Sequence, residues 1–135
     1  ALLAPYGVRC VLNPAYAETE MLFSLQVGVR ALRPEAQAAL VVLGDQPRLR
    51  REVIQRVLDA YEPGAVVIPS YEMKRGHPIL LDHSWWDELL ALPPTTSLRD
   101  FIRAHEEQIH YVVVKSDSVL KDLDTPQDYE KLLEP

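Results

Sequence analysis

The chain has 135 residues, a formal net charge of -6 and a 47% hydrophobic composition, which fits one domain with a single core. So acidic a balance, with no basic stripe, argues against general nucleic-acid binding, and no run approaches the roughly 20 apolar residues of a membrane span. Cys10 is the single cysteine, so an internal disulfide and a thiolate metal site are excluded; a reducing, cytoplasmic setting is the expectation, with Cys10 a small core residue.

The opening, Ala1-Leu2-Leu3-Ala4-Pro5, lacks the basic start and long apolar stretch of a signal peptide. It reads as the end of a helix entering a loop, and we expect the natural polypeptide to begin upstream of Ala1. Val8–Leu12 is a short apolar run closed by the turn signal Asn13-Pro14 and is expected to form a strand. From Glu18 to Leu32, Met21, Leu22, Leu25, Val29 and Leu32 recur at helical spacing, and Pro34 stops that helix. Ala38–Leu43 is continuously apolar, as expected of a central parallel strand covered on both faces. Gly44-Asp45-Gln46-Pro47 breaks it. Arg50–Tyr61 is a helix with Val53, Ile54, Val57 and Leu58 inward. Pro63-Gly64 punctuates, and Ala65–Pro69 is a second buried strand.

Ser70–Pro78 is polar and ends in Lys74-Arg75-Gly76-His77-Pro78. Ile79-Leu80-Leu81 predicts a short strand. Trp85–Leu92 predicts a short helix, with one tryptophan ring buried and the other partly exposed, stopped by Pro93-Pro94. Ser97 and Asp100 have capping-box-like spacing and open a helix to His105. Ile109–Val114 is a β-branched strand. Asp122-Leu123-Asp124-Thr125-Pro126 then leads into a last helix ending at Leu133, with Pro126 in its first position. Strand–helix alternation with short connections predicts an α/β fold: a mostly parallel sheet with helices on both faces. In such sheets ligands bind beyond the carboxyl ends of the strands.

That rule selects three candidates. Asp45 follows an apolar strand after one glycine, so its carboxylate would enter the crevice, and Gly44 would admit a close backbone approach. Ordinary turn chemistry explains Gly-Asp-Gln-Pro equally well. Asp122 and Asp124 would point the same way in an extended segment, with Leu123 opposite. Here the competing reading is a helix N-cap, and Thr125 or Asp124 is expected to serve partly as one. Gly76 permits an unusual backbone angle and presents His77 beside a rigid proline. His77 could bond a substrate or simply hold a loop, and no second histidine stands at a metal-ligand spacing from it. No serine-hydrolase elbow, zinc arrangement or phosphate loop of the Gly-x-Gly-x-x-Gly or Walker type occurs.

Together these pieces resemble the molybdenum cofactor cytidylyltransferases and the wider family of MobA-like nucleotidyltransferases, nearly end to end. Asn13-Pro14-Ala15-Tyr16 with Glu20-Met21-Leu22-Phe23-Ser24-Leu25-Gln26 is similar to the segment after the family's second or third strand. Gly44-Asp45-Gln46-Pro47 is similar to its metal-binding turn. Arg75-Gly76-His77-Pro78 resembles a motif of the cytidylyltransferase branch, and Asp122 to Tyr129 resembles the C-terminal acidic motif. The order and spacing of the four carry more weight than any one of them.

The resemblance implies a Rossmann-like three-layer α/β/α sandwich of the nucleotide-diphospho-sugar transferase type, of which residues 1–135 would be the C-terminal part of a single domain. It implies transfer of a nucleotide from CTP or GTP to a phosphorylated, molybdopterin-type acceptor, with release of pyrophosphate. It makes Asp45 and Asp124 the catalytic magnesium ligands, which suits an ion bound by one or two carboxylates plus phosphates and water. It places His77 and Gly76 near the acceptor, Ser24 and Leu25 on the nucleotide side, and allows a molybdoenzyme partner.

Two departures stand out. Thr19 occupies a position where the family usually has glycine. The family's opening Gly-rich loop, Leu-Ala-Ala-Gly-x-Ser-x-Arg-Met-Gly, with the lysine that follows it, is not among these residues. Backbone amides and cations of that kind cradle phosphates. The expectation is therefore an N-terminally incomplete domain that is inactive alone, with a sheet edge free to self-associate. The alternative is a non-catalytic paralogue that binds a nucleotide or a molybdoenzyme.

Overall fold

The computed structural model describes residues 3–133. Five strands and five helices follow in the order α1 (Met21–Arg30), β1 (Ala38–Val41), α2 (Arg51–Asp59), β2 (Val66–Tyr71), β3 (Lys74–Arg75), β4 (Ile79–Asp82), α3 (Trp86–Ala91), α4 (Leu98–Ala104), β5 (Ile109–Val113) and α5 (Pro126–Leu133). The chain divides into two compact units: Ala1–Ala36 with Trp86–His105, and Gln37–Trp85 with Glu106–Pro135.

The first unit is helical. Helix α1 buries Leu22, Gln26 and Val29, a stripe at i, i+4 and i+7. Met21 and Leu32 lie off the stripe and are exposed. Buried Gln26 donates to the carbonyls of Leu89 at 2.7 Å and Leu92 at 3.0 Å. Those carbonyls end α3 and have no partner within it. A six-residue helix, marginal alone, is thus closed by a side chain of its neighbour. Pro93-Pro94 then bars its continuation. Helix α4 begins as its spacing predicts: Ser97 accepts from the Asp100 amide at 3.1 Å and donates to its carboxylate at 2.6 Å. That bond holds the Asp100 carboxyl below its ordinary range.

The Val8–Leu12 strand does not form, because no strand lies beside it among the described residues to complete a ladder. Val8, Val11 and Leu12 are exposed, and so is Cys10, which is therefore not a core residue. Asn13 organises the next turn. Its side-chain oxygen accepts from the Ala15 amide at 2.9 Å, while its amide reaches Thr19 at 3.3 Å and Ser24 at 3.0 Å. Thr19 donates to the Ala15 carbonyl at 2.8 Å, so the threonine stabilises this turn without a positive φ.

The second unit holds the sheet. Strands β1, β4 and β2 lie side by side; the short β3 and β5 also pair with β2, on opposite edges, since Ser70 is opposite both Arg75 and Val113. Strand β4 is antiparallel to both β1 and β2, while β5 is parallel to β2. It follows that β1, β2 and β5 run one way and β3 and β4 the other. The mostly parallel expectation holds for strand direction and fails for pairing, since β2–β5 is the one parallel pair among the described strands. The polar stretch after β2 caused the difference. It forms a two-residue hairpin, with Glu72 and Met73 at φ 48 and 66, that returns the chain through β3 into β4. All four residues of β4 are buried, and a buried strand reads alike in either direction.

Helix α2 packs Val53 and Val57 against Val67, Leu80, Val112, Val114 and Val119. Leu58 was expected to face inward but is exposed. Strand β1 is corrected as well: among the described residues it pairs only with β4, so it is an edge strand, and it is half-buried throughout. Both tryptophans of the Trp85-Trp86 pair are partly buried, Trp85 donating to the Gly64 carbonyl at 2.9 Å. Among the described residues no helix is long and apolar enough to cross a membrane.

Candidate functional site

Because β1, β2 and β5 share a direction, their carboxyl ends lie at one end of the sheet. Beyond it stand three of the segments singled out by sequence: Gly44 to Pro47 after β1, Arg75 to Pro78 ahead of β4, and Asp122 to Pro126 after β5. They are joined at one backbone atom. The Val119 carbonyl accepts from the His77 amide at 3.1 Å and faces the Gln46 side-chain amide at 3.5 Å. Gln46 also donates to the Asp122 carboxylate at 2.6 Å, and the Leu123 amide donates to the Asp45 carbonyl at 2.9 Å.

The Val119 carbonyl is presented by a short 3-10 turn, Asp117–Val119, that Ser116 caps by accepting from the Ser118 amide at 3.2 Å. Lys121 pairs with Asp117 at 2.6 Å across the same turn. Gly76 is required here for a reason other than the one expected. Its φ is not positive. A Cβ at this position would instead stand 2.4 Å from the Val119 oxygen and 2.6 Å from the Val119 Cβ, so any side chain would push the two segments apart. The His77-Pro78 peptide bond is cis. Gly44 differs: a Cβ there would meet nothing within 4 Å.

The polar inventory is uneven. Asp45, Asp122 and Asp124 are exposed, whereas Gln46 is only 6% exposed. The Gln46 side-chain oxygen and His77 Nε2 are buried without a hydrogen-bond partner. Burial lowers the His77 pKa, against the opposing pull of the Asp122 and Asp45 carboxylates. The ring is therefore uncharged at neutral pH, with one nitrogen free to give or accept a single bond. Asp124 stands just ahead of the N-terminus of α5. The cap itself is Thr125, which accepts from the Asp128 amide at 3.2 Å while the Asp128 carboxylate accepts from the Thr125 amide at 3.0 Å. Among the described residues no three His, Cys, Asp or Glu side chains form a group that could hold a metal unaided. Two carboxylates, uncrowded and solvent-accessible, suit an ion that keeps water and phosphate ligands.

Ser24 and Leu25 belong to the helical unit, on α1. Ser24 receives the Asn13 bond and Leu25 is half-buried. Sequence reasoning passed over Gln46 as part of a turn, and its signal was its place next to Asp45. It also passed over Val119, for which the sequence holds no signal because a backbone carbonyl does the work.

Solved structures share this fold. The Rv0371c protein of Mycobacterium tuberculosis H37Rv is 25% identical with a TM-score of 0.71, over 84% of this chain and 60% of that one. The same protein has been solved as a complex with manganese, 25% identical with a TM-score of 0.65, over 83% of this chain and 60% of that one. A nucleotidyl transferase from Methanothermobacter (Mth528) is 19% identical with a TM-score of 0.75, over 96% of this chain and 63% of that one. The chain thus spans about 60% of the length of the structures it resembles. No curated protein sequence matches it. The mixed α/β architecture is the Rossmann-like fold of nucleotidyltransferases. The model of the MobA-like NTP transferase domain matches residues 1–109, most of the chain, and the chain belongs to that family.

Proposed function

We propose that these residues are the C-terminal part of a single MobA-like domain and carry one wall of a nucleotidyltransferase site. In that reading an oxygen of the acceptor phosphate attacks the α-phosphorus of CTP or GTP. A phosphoanhydride bond forms, the bond to the β-phosphate side breaks, and pyrophosphate leaves with its electron pair. The observation that supports it is the union of three motif segments at the Val119 carbonyl, beyond the strand ends, in a chain of this family.

Asp45 and Asp124 would hold a divalent ion, magnesium by family resemblance, and the manganese complex of a related fold is in keeping with that choice. The ion would neutralise charge that builds on the phosphates. Uncharged His77 would give or accept one hydrogen bond at the acceptor, and Gly76 would let that segment lie close. Ser24 and Leu25 are assigned to the nucleotide side. We further propose that the acceptor is of molybdopterin type, that a molybdoenzyme receives the product in the cytoplasm, and that the edge of β1, unpaired among the described residues, offers a surface for self-association.

These residues contain no Gly-rich phosphate loop, so we expect no turnover from them alone. A second reading is a protein that binds a nucleotide or a molybdoenzyme without chemistry. The test is pyrophosphate release with CTP or GTP and a molybdopterin acceptor, by the 135 residues and by any longer natural polypeptide that supplies the loop. Release only by the longer chain supports the enzyme reading, and release by neither supports the binding protein. Release by the 135 residues alone contradicts the assignment of a half-site.

A further inference from the structure

Gln46 is almost fully buried between two turns that carry acidic residues. Both partners of its amide nitrogen, the Asp122 carboxylate and the Val119 carbonyl, are acceptors, so the amide can face only one way. The bond to Asp122 is short and charge-assisted, the stronger class of hydrogen bond. It spans 76 residues of sequence. On the Gln46 side the chain has just left Asp45, and on the Asp122 side it is two residues short of Asp124. Among the described residues, the other hydrogen bond that directly ties these two acid-bearing turns is the backbone contact from Leu123 to Asp45. The Gln46 oxygen stays buried without a partner. A side chain kept for packing alone would not carry that penalty, since an apolar group of similar length fills the same space.

We infer that Gln46 is a positioning residue: its amide locks the turn after β1 to the turn ahead of α5 and so fixes the relative placement of the Asp45 and Asp124 carboxylates that would share a divalent ion. This rests on the metal reading proposed above. The physical basis is general. Carboxylates that bind an ion together must be held at a set spacing before it arrives, and groups that hold ligands through hydrogen bonds typically alter affinity by about 10–100-fold when removed.

The test uses the full chain with Gln46→Met, which keeps length and apolar bulk and removes the donor. Asp45→Asn serves as the reference for loss of a ligand. Val29→Ala serves as a core control, since Val29 is buried in α1 of the helical unit while Gln46 and Asp122 belong to the other. Manganese(II) is titrated and the free ion read by electron paramagnetic resonance. In parallel, amide hydrogen exchange is followed at His77 and Leu123. The lock predicts that Gln46→Met weakens manganese binding at least about tenfold. It also predicts exchange at the Leu123 and His77 amides faster by about tenfold or more, with α2 amides unchanged. Val29→Ala should lower the melting temperature yet leave manganese affinity as it was.

If Asp45→Asn abolishes manganese binding and Gln46→Met leaves it intact, the positioning role is overturned while the metal reading stands. If the wild-type chain binds no manganese, the metal reading fails and the exchange arm decides the lock by itself. Unaltered exchange at Leu123 and His77 in Gln46→Met overturns it, and accelerated exchange there upholds it.

Discussion

The two ends of the sheet treat their polar groups in opposite ways. At the end where β4 finishes, Asp82 is 1% exposed, and every demand of its carboxylate is met. The Tyr61 hydroxyl donates to it at 2.7 Å and the Ser84 amide at 2.9 Å. Burial works against the charge. The Ser84 side chain, the Tyr61 hydroxyl and the Ser84 and Gly64 amides outweigh it and keep the carboxyl well below its usual range. The charge in turn raises the Tyr61 pKa, chiefly through the shared hydrogen bond. At the other end the carboxylates of Asp45, Asp122 and Asp124 are exposed, while two buried polar atoms, on Gln46 and His77, lack partners. A saturated buried charge is what stability alone produces. Buried polar atoms without partners, beside exposed acids, carry a cost that a ligand can remove.

That contrast can be broken by mutation. The largest stability effect belongs to Asp82→Ala, which leaves the donors of Tyr61, Ser84 and Gly64 unpaired and should cost about 3 kcal/mol in urea unfolding. Manganese affinity should stay unchanged; a coupled loss would show that the two ends are not independent. Gly76→Ala sets a methyl group against the Val119 carbonyl and should cost about 2 kcal/mol. Unlike the first variant, it should also weaken metal binding, because it spreads the site segments. Thr125→Ala removes the cap of α5 and should cost about 1 kcal/mol, visible as faster exchange in Pro126–Leu133.

Acid titration sharpens the same comparison. Asp82 has a folded-state pKa below its unfolded one, so its stabilisation is complete above an ordinary carboxylate pKa of about 4 and fades as the pH falls below it. The stability gap between the wild type and Asp82→Asn should therefore narrow on acidification from pH 5 toward pH 3. A gap constant across that range would remove Asp82 from its structural role.

Much of this was legible beforehand. Residue types that punctuate helices were dependable: Pro126 opens α5, Ser97 caps α4, and Pro93-Pro94 ends α3. Apolar runs were a weaker guide. Val8–Leu12 and Ile79–Leu81 look alike as strings, yet only the second found neighbours on both sides. Strand direction was illegible because it depended on a hairpin built from Glu72 and Met73, neither of which is a usual residue for positive φ. The candidate acids could be singled out because they follow strands. The groups that join their turns, Gln46 and the Val119 carbonyl, and the saturated Asp82–Tyr61 pair, were missed because each depends on contacts far apart in sequence.

The central claim is that the Asp45 end of the sheet binds a divalent ion together with a nucleotide. It is tested most directly by calorimetry of CTP and GTP binding, with and without magnesium, to the wild type and to Asp45→Ala, on the longest natural polypeptide that contains these residues. The account predicts magnesium-dependent binding by the wild type and a loss of at least about tenfold in the variant. Magnesium-dependent binding of equal strength in both proteins would contradict it.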